Sequence, residues 1–168
     1  TYRHIASQLV AYKDTLLAVF INNYNEPSID KYFLERVRIL KSYNLKPALL
    51  SNATGLTPKV VDDLIEMGGL LYMTINLSTI DHQLYAETRG RNHLRQVLKN
   101  LEYMKSLLVA DTMNIVVIGD DDNLHRQNYE AIQARFMGSR FQVNYAVAMD
   151  RASYLTTGQF PNSKIKWL

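Results

Sequence analysis

Cysteine is absent from the 168 residues of this chain. Its absence excludes disulfide bonds, zinc sites built on thiolates and thiol nucleophiles within the chain. Four histidines are present, and none is paired at a metal-binding spacing such as H-E-x-x-H. The sequence therefore predicts no metal site built only from residues of this chain.

Long apolar runs and blocks of one charge are also missing. No apolar stretch approaches the ~20 residues needed to cross a bilayer, so we expect no membrane partner. The net charge of +3 comes from Lys and Arg scattered along the chain. Without a basic block we expect no nucleic-acid partner. Nothing argues for secretion, and we expect a cytoplasmic protein.

The residues that are present predict an α/β domain. Hydrophobic residues make up 47% of the chain, which indicates a globular protein with a sizeable core. Strand-like apolar segments alternate with amphipathic helical patterns, and this alternation predicts parallel strands joined by right-handed crossovers. The predicted strands are residues 16–21, 46–51, 70–77, 113–119 and 142–149. The predicted helices are residues 2–13, 28–43, 57–67, part of 78–91, 94–108 and 120–136.

Polar residues follow each predicted strand. Because the carboxyl ends of parallel strands meet at one edge of a sheet, we expect these residues to face a common ligand. Amides and hydroxyls dominate, Glu26 is the one carboxylate of the first loop, and no glycine-rich phosphate loop is present. This set favours a zwitterionic or sugar-bearing ligand over an oligophosphate. The segments are residues 22–27, 51–55, 76–79, 119–122 and 149–151.

Each of these segments also has a purely structural interpretation. Glu26 is a plausible cap for the helix that follows it, and Ser78 or Thr79 is a plausible cap for a later helix. Residues 51–54 are ordinary turn formers. Residues 120–122 suit a turn and an acidic first helical turn better than a metal site.

The order of these segments resembles the radical S-adenosylmethionine (SAM) superfamily. In that family a G-G-E-P-like motif, a T-N-G-like turn and an S-[IL]-D-like stretch end successive strands. The counterparts here are N-E-P at 25–27, S-N-A-T-G at 51–55 and N-L-S-T at 76–79, followed by Tyr85, Arg89 and Gly90.

The resemblance implies a partial (β/α)6 TIM-like barrel whose five strands are strands two to six, with the first strand missing. It implies a partial radical SAM-type core over residues 1–150. Residues 151–168 are then an irregular tail or the start of a C-terminal extension.

The resemblance also implies cofactors and the residues that bind them. The cofactors are SAM and a 4Fe–4S cluster, and we expect the C-x3-C-x2-C ligands of the cluster in sequence before Thr1. Asn25 and Glu26 would bind the SAM amino group, although the Gly-Gly pair of the family motif is replaced here by Tyr-Asn or Asn-Asn. The other implied cofactor-binding residues are Asn52 and Ser78 for the ribose or the methionine carboxylate, Arg89 for the carboxylate, and Ile118, Gly119 and Val147 for adenine.

The activity implied by the resemblance belongs to the full-length protein. It is the generation of a 5′-deoxyadenosyl radical that abstracts hydrogen from an unknown substrate, for which a peptide is one candidate. An electron donor such as flavodoxin or ferredoxin is an implied partner, and we expect the fragment alone to be inactive. Two alternatives stay open: a non-catalytic interaction domain without a cluster, and an unrelated (β/α)-barrel enzyme or ligand-binding domain.

Overall fold

The fold is described from a computed structural model, which describes residues 1–22 and 26–148. The predictions for Asn25 and for the tail over 151–168 lie outside the described residues. No helix in the described part of the chain is long and apolar enough to cross a membrane.

Five parallel strands form a single sheet in the order β1-β2-β3-β4-β5. This confirms the predicted α/β class with parallel strands. Because every neighbour pair is parallel, all carboxyl ends lie along one edge, here called the C-terminal edge. The strands are β1 (Val19–Phe20), β2 (Pro47–Ser51), β3 (Leu70–Asn76), β4 (Ala110–Gly119) and β5 (Phe141–Val147).

Helices connect the strands, and local sequence signals fix several of their ends. Thr57 caps the helix before β3 by accepting a hydrogen bond from the Val60 N–H, with Pro58 in the first turn. Gly68 and Gly69 have positive φ and end that helix. The helices are α1 (Tyr2–Leu9), α2 (Phe33–Ser42), α3 (Pro58–Glu66), α4 (His82–Arg89), α5 (Leu94–Met104) and α6 (Asn123–Arg135), with 3-10 turns at Val10–Tyr12 and Pro27–Ile29.

The cap of α4 differs from the sequence prediction. Asp81, rather than Ser78 or Thr79, is the N-cap, and its carboxylate accepts from the Leu84 N–H at 2.7 Å. Thr79 instead accepts from the Asp81 N–H at 3.0 Å. The helix therefore begins at His82, six residues after β3 ends at Asn76, which leaves Ser78 on the C-terminal edge.

The core lies between one face of the sheet and the helices. Leu49, Met73, Ile75, Ile115 and Val117 are fully buried there with apolar residues of α3 and α5. Side chains alternate between the two faces of a strand, so the residues between these point to the opposite face.

β1 and α2 are shorter than the predicted segments 16–21 and 28–43. The apolar run 16–21 gives only the two-residue strand β1, and Leu17 and Phe20 are 80% and 52% exposed. The reason is that β1 lies at the edge of the described sheet and pairs only with β2. The predicted helix over 28–43 begins instead at Phe33, so Ile29 lies in a 3-10 turn and is exposed.

Candidate functional site

Glu26 joins the carboxyl ends of β1 and β2. Its Oε1 accepts hydrogen bonds from the Ser28 N–H (3.1 Å), the Ser28 hydroxyl (2.5 Å) and the Ser51 hydroxyl (2.5 Å). Its Oε2 accepts from the Asn52 N–H at 2.6 Å. A carboxylate has about four lone-pair positions, two on each oxygen, so Oε2 retains capacity for one further donor.

The turn after β2 is held in a defined shape. Asn52 Oδ1 accepts from the N–H and the hydroxyl of Thr54, at 2.9 and 2.5 Å. Ala53 has a φ of 64°, which is unusual for a residue with a side chain. A Cβ added to Gly55 would lie 2.4 Å from the Ser28 carbonyl oxygen, so this position requires glycine. The side-chain oxygen of Asn52 is therefore used within the turn. Its side-chain amide nitrogen donates to no acceptor among the described residues.

A buried asparagine from α5 supports the same turn. Asn100 is fully buried, and its Nδ2 donates to the carbonyl oxygens of Ala53 (2.8 Å) and Thr54 (3.3 Å). Gln96 donates to Asn100 Oδ1 at 2.8 Å. Sequence reasoning missed Asn100, although it is a polar residue on the apolar stripe of a predicted helix.

Arg89 and Ser78 lie at the carboxyl end of β3. Arg89 Nη2 donates to Asn76 Oδ1 at 2.9 Å, and Ser78 Oγ accepts from the Ile118 N–H at 3.3 Å. Burial raises the pKa of the nearby Tyr85 hydroxyl; the positive charge of Arg89 lowers this pKa and the negative charge of Glu26 raises it. The charges of Arg89 and Glu26 therefore both affect the pKa of the same buried hydroxyl, that of Tyr85 in α4.

His125 holds the end of β4. Its Nε2–H donates to the Val117 carbonyl at 2.9 Å, and its Nδ1 accepts from the Asp121 N–H at 3.2 Å. These two bonds require the neutral tautomer with the proton on Nε2. The ring stacks on Tyr145 of β5 and occupies the space beside Gly119, where a Cβ would lie 2.6 Å from the His125 Cγ. Nothing in the sequence near His125 signals this role, because its partners come from the end of β4.

Two clefts open at the C-terminal edge. The first, of about 910 Å³, lies beside β1 and is lined by Glu26 together with Tyr2, Ile21 and Asn22. The second, of about 380 Å³, is lined by the predicted site residues Ser78, Arg89, Ile118 and Gly119. β1 and β4 are three strand spacings apart, which corresponds to about 14 Å.

The structure therefore brings the described candidate residues to one edge but divides them between two clefts. Asn52 follows β2, donates to Glu26 and lines neither cleft. Val147 ends β5 opposite Gly119, is 42% exposed and lines neither cleft. Among residues 1–22 and 26–148, no group of three or more His, Asp or Glu side chains is arranged to hold a metal ion.

A protein-family model matches most of this chain. Residues 9–129 match the model of the radical SAM superfamily. The chain belongs to the radical SAM superfamily. The match includes the segments after β1, β2 and β3 and the strand β4, from which all the described candidate residues except Val147 come.

Two curated relatives match more than half of this chain. The chain is 33% identical over 100 residues to proteins named probable GTP 3′,8-cyclase from Pyrococcus horikoshii and Pyrococcus abyssi. The match covers 58% of this chain and 32% of each relative, so the chain spans about a third of the length of these relatives.

Solved structures similar to this chain show the same fold at low identity. Streptococcus suis SuiB bound to the precursor peptide SuiA matches with a TM-score of 0.65 at 18% identity, covering 99% of this chain and 35% of that one. SuiB bound to SAM gives 0.56 at 18%, covering 99% and 45%. TYW1 with a lysine-pyruvate adduct gives 0.53 at 15%, covering 86% and 50%. These similarities confirm the barrel-like α/β fold.

Proposed function

We propose that this chain is the core of a radical SAM enzyme and that SAM binds along the C-terminal edge of the sheet. The observation that carries the proposal is the Glu26 network, which fixes a carboxylate at the end of β1 and links it to the turn after β2. SAM has an amino-acid end and a nucleoside end, and the two clefts suit an elongated ligand of this kind.

The residues at the first cleft fit the amino group of SAM. An ammonium group needs acceptors, and Glu26 Oε2 accepts one described hydrogen bond and retains capacity for another. Glu26 is held by three residues, so little side-chain entropy is lost when it binds a ligand. The neighbouring Asn25 is proposed to supply a further acceptor.

The residues at the second cleft fit a carboxylate and a nucleoside. Arg89 uses Nη2 to bond Asn76, and its Nε and Nη1 have no hydrogen-bond partner among residues 1–22 and 26–148. A guanidinium with free donors binds a carboxylate well. Ile118 and Gly119 offer apolar surface to adenine, Ser78 and Asn52 offer polar groups to the ribose, and Val147 is proposed to contact the base through its backbone.

The 4Fe–4S cluster is proposed to be held by cysteines outside this chain, because the chain contains none. When bound, the reduced cluster and SAM supply a 5′-deoxyadenosyl radical that abstracts hydrogen from the substrate. The part proposed for this chain is to bind and orient SAM. A flavodoxin- or ferredoxin-type donor is proposed as the source of the electron.

Anaerobic reconstitution of the full-length protein tests this function. With iron and sulfide, we expect a brown protein that cleaves SAM to 5′-deoxyadenosine under reducing conditions. The 168-residue chain alone serves as the control and is expected to hold no cluster. A full-length protein that holds no cluster, or that holds one and does not cleave SAM, would contradict the proposal and favour a non-catalytic interaction domain.

A further inference from the structure

His125 is a buried histidine that lines the second cleft and has no part in the proposed function. It is 4% exposed, whereas His4, His82 and His93 are exposed and line neither cleft. Its ring lies beside Gly119, which is proposed to contact adenine. Histidine is the side chain that ordinarily changes its charge between about pH 5 and pH 8. A change of charge at His125 would therefore occur directly beside the nucleoside end of the cleft.

Both ring nitrogens of His125 hold backbone groups close to Gly119. Nε2–H donates to the carbonyl of Val117 at 2.9 Å, on one side of Gly119, and Nδ1 accepts from the N–H of Asp121 at 3.2 Å, on the other. The ring thus bridges the end of β4 and the turn that follows it. Only a neutral ring with its proton on Nε2 makes both bonds, because a protonated imidazole has donors and no acceptor.

The turn that His125 holds has an unfavourable backbone conformation. Asp121 has a φ of 59°, in the left-handed region that a residue with a side chain adopts only where surrounding contacts hold it. His125 Nδ1 accepts from its N–H, the Tyr145 hydroxyl donates to its Oδ1 at 2.6 Å, and Arg126 lies 4.0 Å from the same oxygen. The shape of the turn therefore depends on these contacts.

Protonation of His125 would break one of these contacts. A proton on Nδ1 makes that nitrogen a donor, which then faces the donor N–H of Asp121. The ring has little room to move aside, because it is stacked on Tyr145 with centroids 3.9 Å apart and fills the space beside Gly119. The turn would therefore shift instead, and with it Gly119 and Asp120, which line the second cleft.

Other charged and titratable groups surround the ring, and their ordinary titrations lie outside the range from about pH 5.5 to pH 7.5. The carboxyl end of β4 contributes none. The groups are Asp120, Asp121 and Asp122 of the turn, Arg126 and Tyr129 of α6, Tyr145 of β5, and Arg89 in the same cleft.

We infer that His125 is a positioning residue for the nucleoside end of SAM and that SAM binds preferentially when His125 is neutral. The inference rests on the proposed function, because it takes adenine to lie against Ile118 and Gly119. His125 acts through the turn over 119–121 rather than by contact with the ligand. Since proton binding and ligand binding are linked reciprocally, bound SAM in turn opposes protonation of His125.

The test measures SAM affinity against pH by calorimetry on the reconstituted full-length protein, for the wild type and His125→Gln. A glutamine side chain offers one donor group and one acceptor oxygen, so it can bond Val117 and Asp121, and it does not titrate. The affinity of the wild type relative to this variant should fall by about fivefold from pH 7.5 to acid, the factor that one neutral hydrogen bond supplies. Titration of SAM and of Glu26 is common to both proteins and cancels in this ratio.

The matched control is His93→Gln, the same substitution at an exposed histidine that lines neither cleft. It should show the pH dependence of the wild type. A purely structural role for His125 would change stability, or lower affinity equally at every pH, and would leave the ratio constant.

Ring resonances of the wild-type protein labelled with 15N-histidine give a second measurement that needs no variant. They show the pH at which His125 is protonated, and the affinity series is carried through that pH. We expect the Nε2–H tautomer near neutral pH, and protonation of His125 at a lower pH with SAM bound than without it. His4, His82 and His93 should titrate alike in both samples. A proton on Nδ1 of the neutral ring, or a titration of His125 that SAM does not change, would overturn the inference.

The two proposals fail in different ways. A wild-type protein that does not bind SAM at neutral pH refutes the proposed function and the inference with it. A protein that binds SAM, with a ratio of wild-type to His125→Gln affinity that stays the same while His125 becomes protonated, refutes the inference alone. If His125→Gln does not fold, the ring titration with and without SAM decides.

Discussion

The backbone N–H of Asn52 lies 2.6 Å from Glu26 Oε2, which ties the turn after β2 to the loop after β1. The two residues are 26 positions apart in sequence and meet because parallel neighbouring strands end at the same edge. This contact connects the loop after β1 to the turn after β2, so that their polar groups form one surface. The predictions for SAM binding depend on this connection.

Replacing Glu26 should weaken SAM binding. Glu26→Gln exchanges one carboxylate oxygen for an amide nitrogen, so it removes the charge proposed to face the ammonium group. Loss of a hydrogen bond to a charged partner costs about 1.5–3 kcal/mol, which corresponds to an affinity about 10- to 150-fold lower. Calorimetric titration of the reconstituted full-length protein measures the change.

The matched control for Glu26 is Ser51→Ala. It removes one donor to Oε1 and leaves the carboxylate in place, held by the Ser28 and Asn52 groups. SAM affinity should stay within about threefold of the wild type, because the Ser51 hydroxyl bonds the carboxylate and not the ligand. Loss of this bond to a charged group should instead lower the unfolding free energy, by about 1.5–3 kcal/mol. Equal losses in both variants would indicate that Glu26 acts only by holding the turn.

Arg89 should contribute to SAM binding through the planar shape of its guanidinium as well as through its charge. Arg89→Lys keeps the charge but cannot bond Asn76 and a carboxylate in the same planar arrangement, so we expect SAM affinity to fall by about tenfold. Arg91→Lys, at an exposed position two residues further on, is the control and should have no effect. An Arg89→Gln protein that binds SAM normally would exclude the proposed carboxylate contact.

Gly119 and His125 should be energetically coupled. Gly119→Ala puts a Cβ 2.6 Å from the His125 ring and should cost about 1–3 kcal/mol of unfolding free energy. In a His125→Ala background the ring is gone, so the same substitution should cost less by at least about 0.5 kcal/mol. Chemical denaturation of the four proteins of this cycle measures the coupling, and strictly additive effects would contradict the packing described.

Asn100 should be required for stability rather than for chemistry. Asn100→Leu leaves the carbonyl oxygens of Ala53 and Thr54 without their buried donor, so we expect a loss of about 1–3 kcal/mol. Asn123→Leu at an exposed position of α6 is the control and should change stability by less than about 0.5 kcal/mol. Denaturant unfolding compares the two, and a neutral Asn100→Leu would contradict the role of this residue.

Acid should weaken the contact between α5 and α6. The hydrogen bond from Lys105 and the charge of Arg135 lower the pKa of Glu102. A carboxyl whose pKa is lower in the folded state stabilises the protein above its unfolded pKa, near 4.3, and this contribution is lost as the pH falls through the folded pKa. Glu102→Gln should therefore remove about 0.3–1 kcal/mol of stability at pH 7, less below pH 4, as measured by denaturation against pH.

Local patterns predicted the order of strands and helices because each helix carries an apolar stripe and several have clear caps, such as Thr57-Pro58. The short length of β1 could not be predicted, since an apolar run looks the same at the edge of a sheet as in its centre. His125 was missed for a different reason: its partners, Val117 and Asp121, are identified only by the position of the ring in three dimensions. Asn100 interrupts an apolar stripe, and that interruption was a usable signal.

The division of the candidate residues between two clefts was also not predictable. Strand ends can be assigned to one edge from topology, but Glu26 and Ser78 follow β1 and β3, which are separated by β2, and only coordinates show which cleft each side chain lines.

A structure of the reconstituted full-length protein with SAM bound tests the central claim most directly. The account predicts the SAM amino group within hydrogen-bond distance of Glu26 and the adenine ring against Ile118 and Gly119. SAM bound away from the C-terminal edge, or bound there without contacting Glu26, would contradict it.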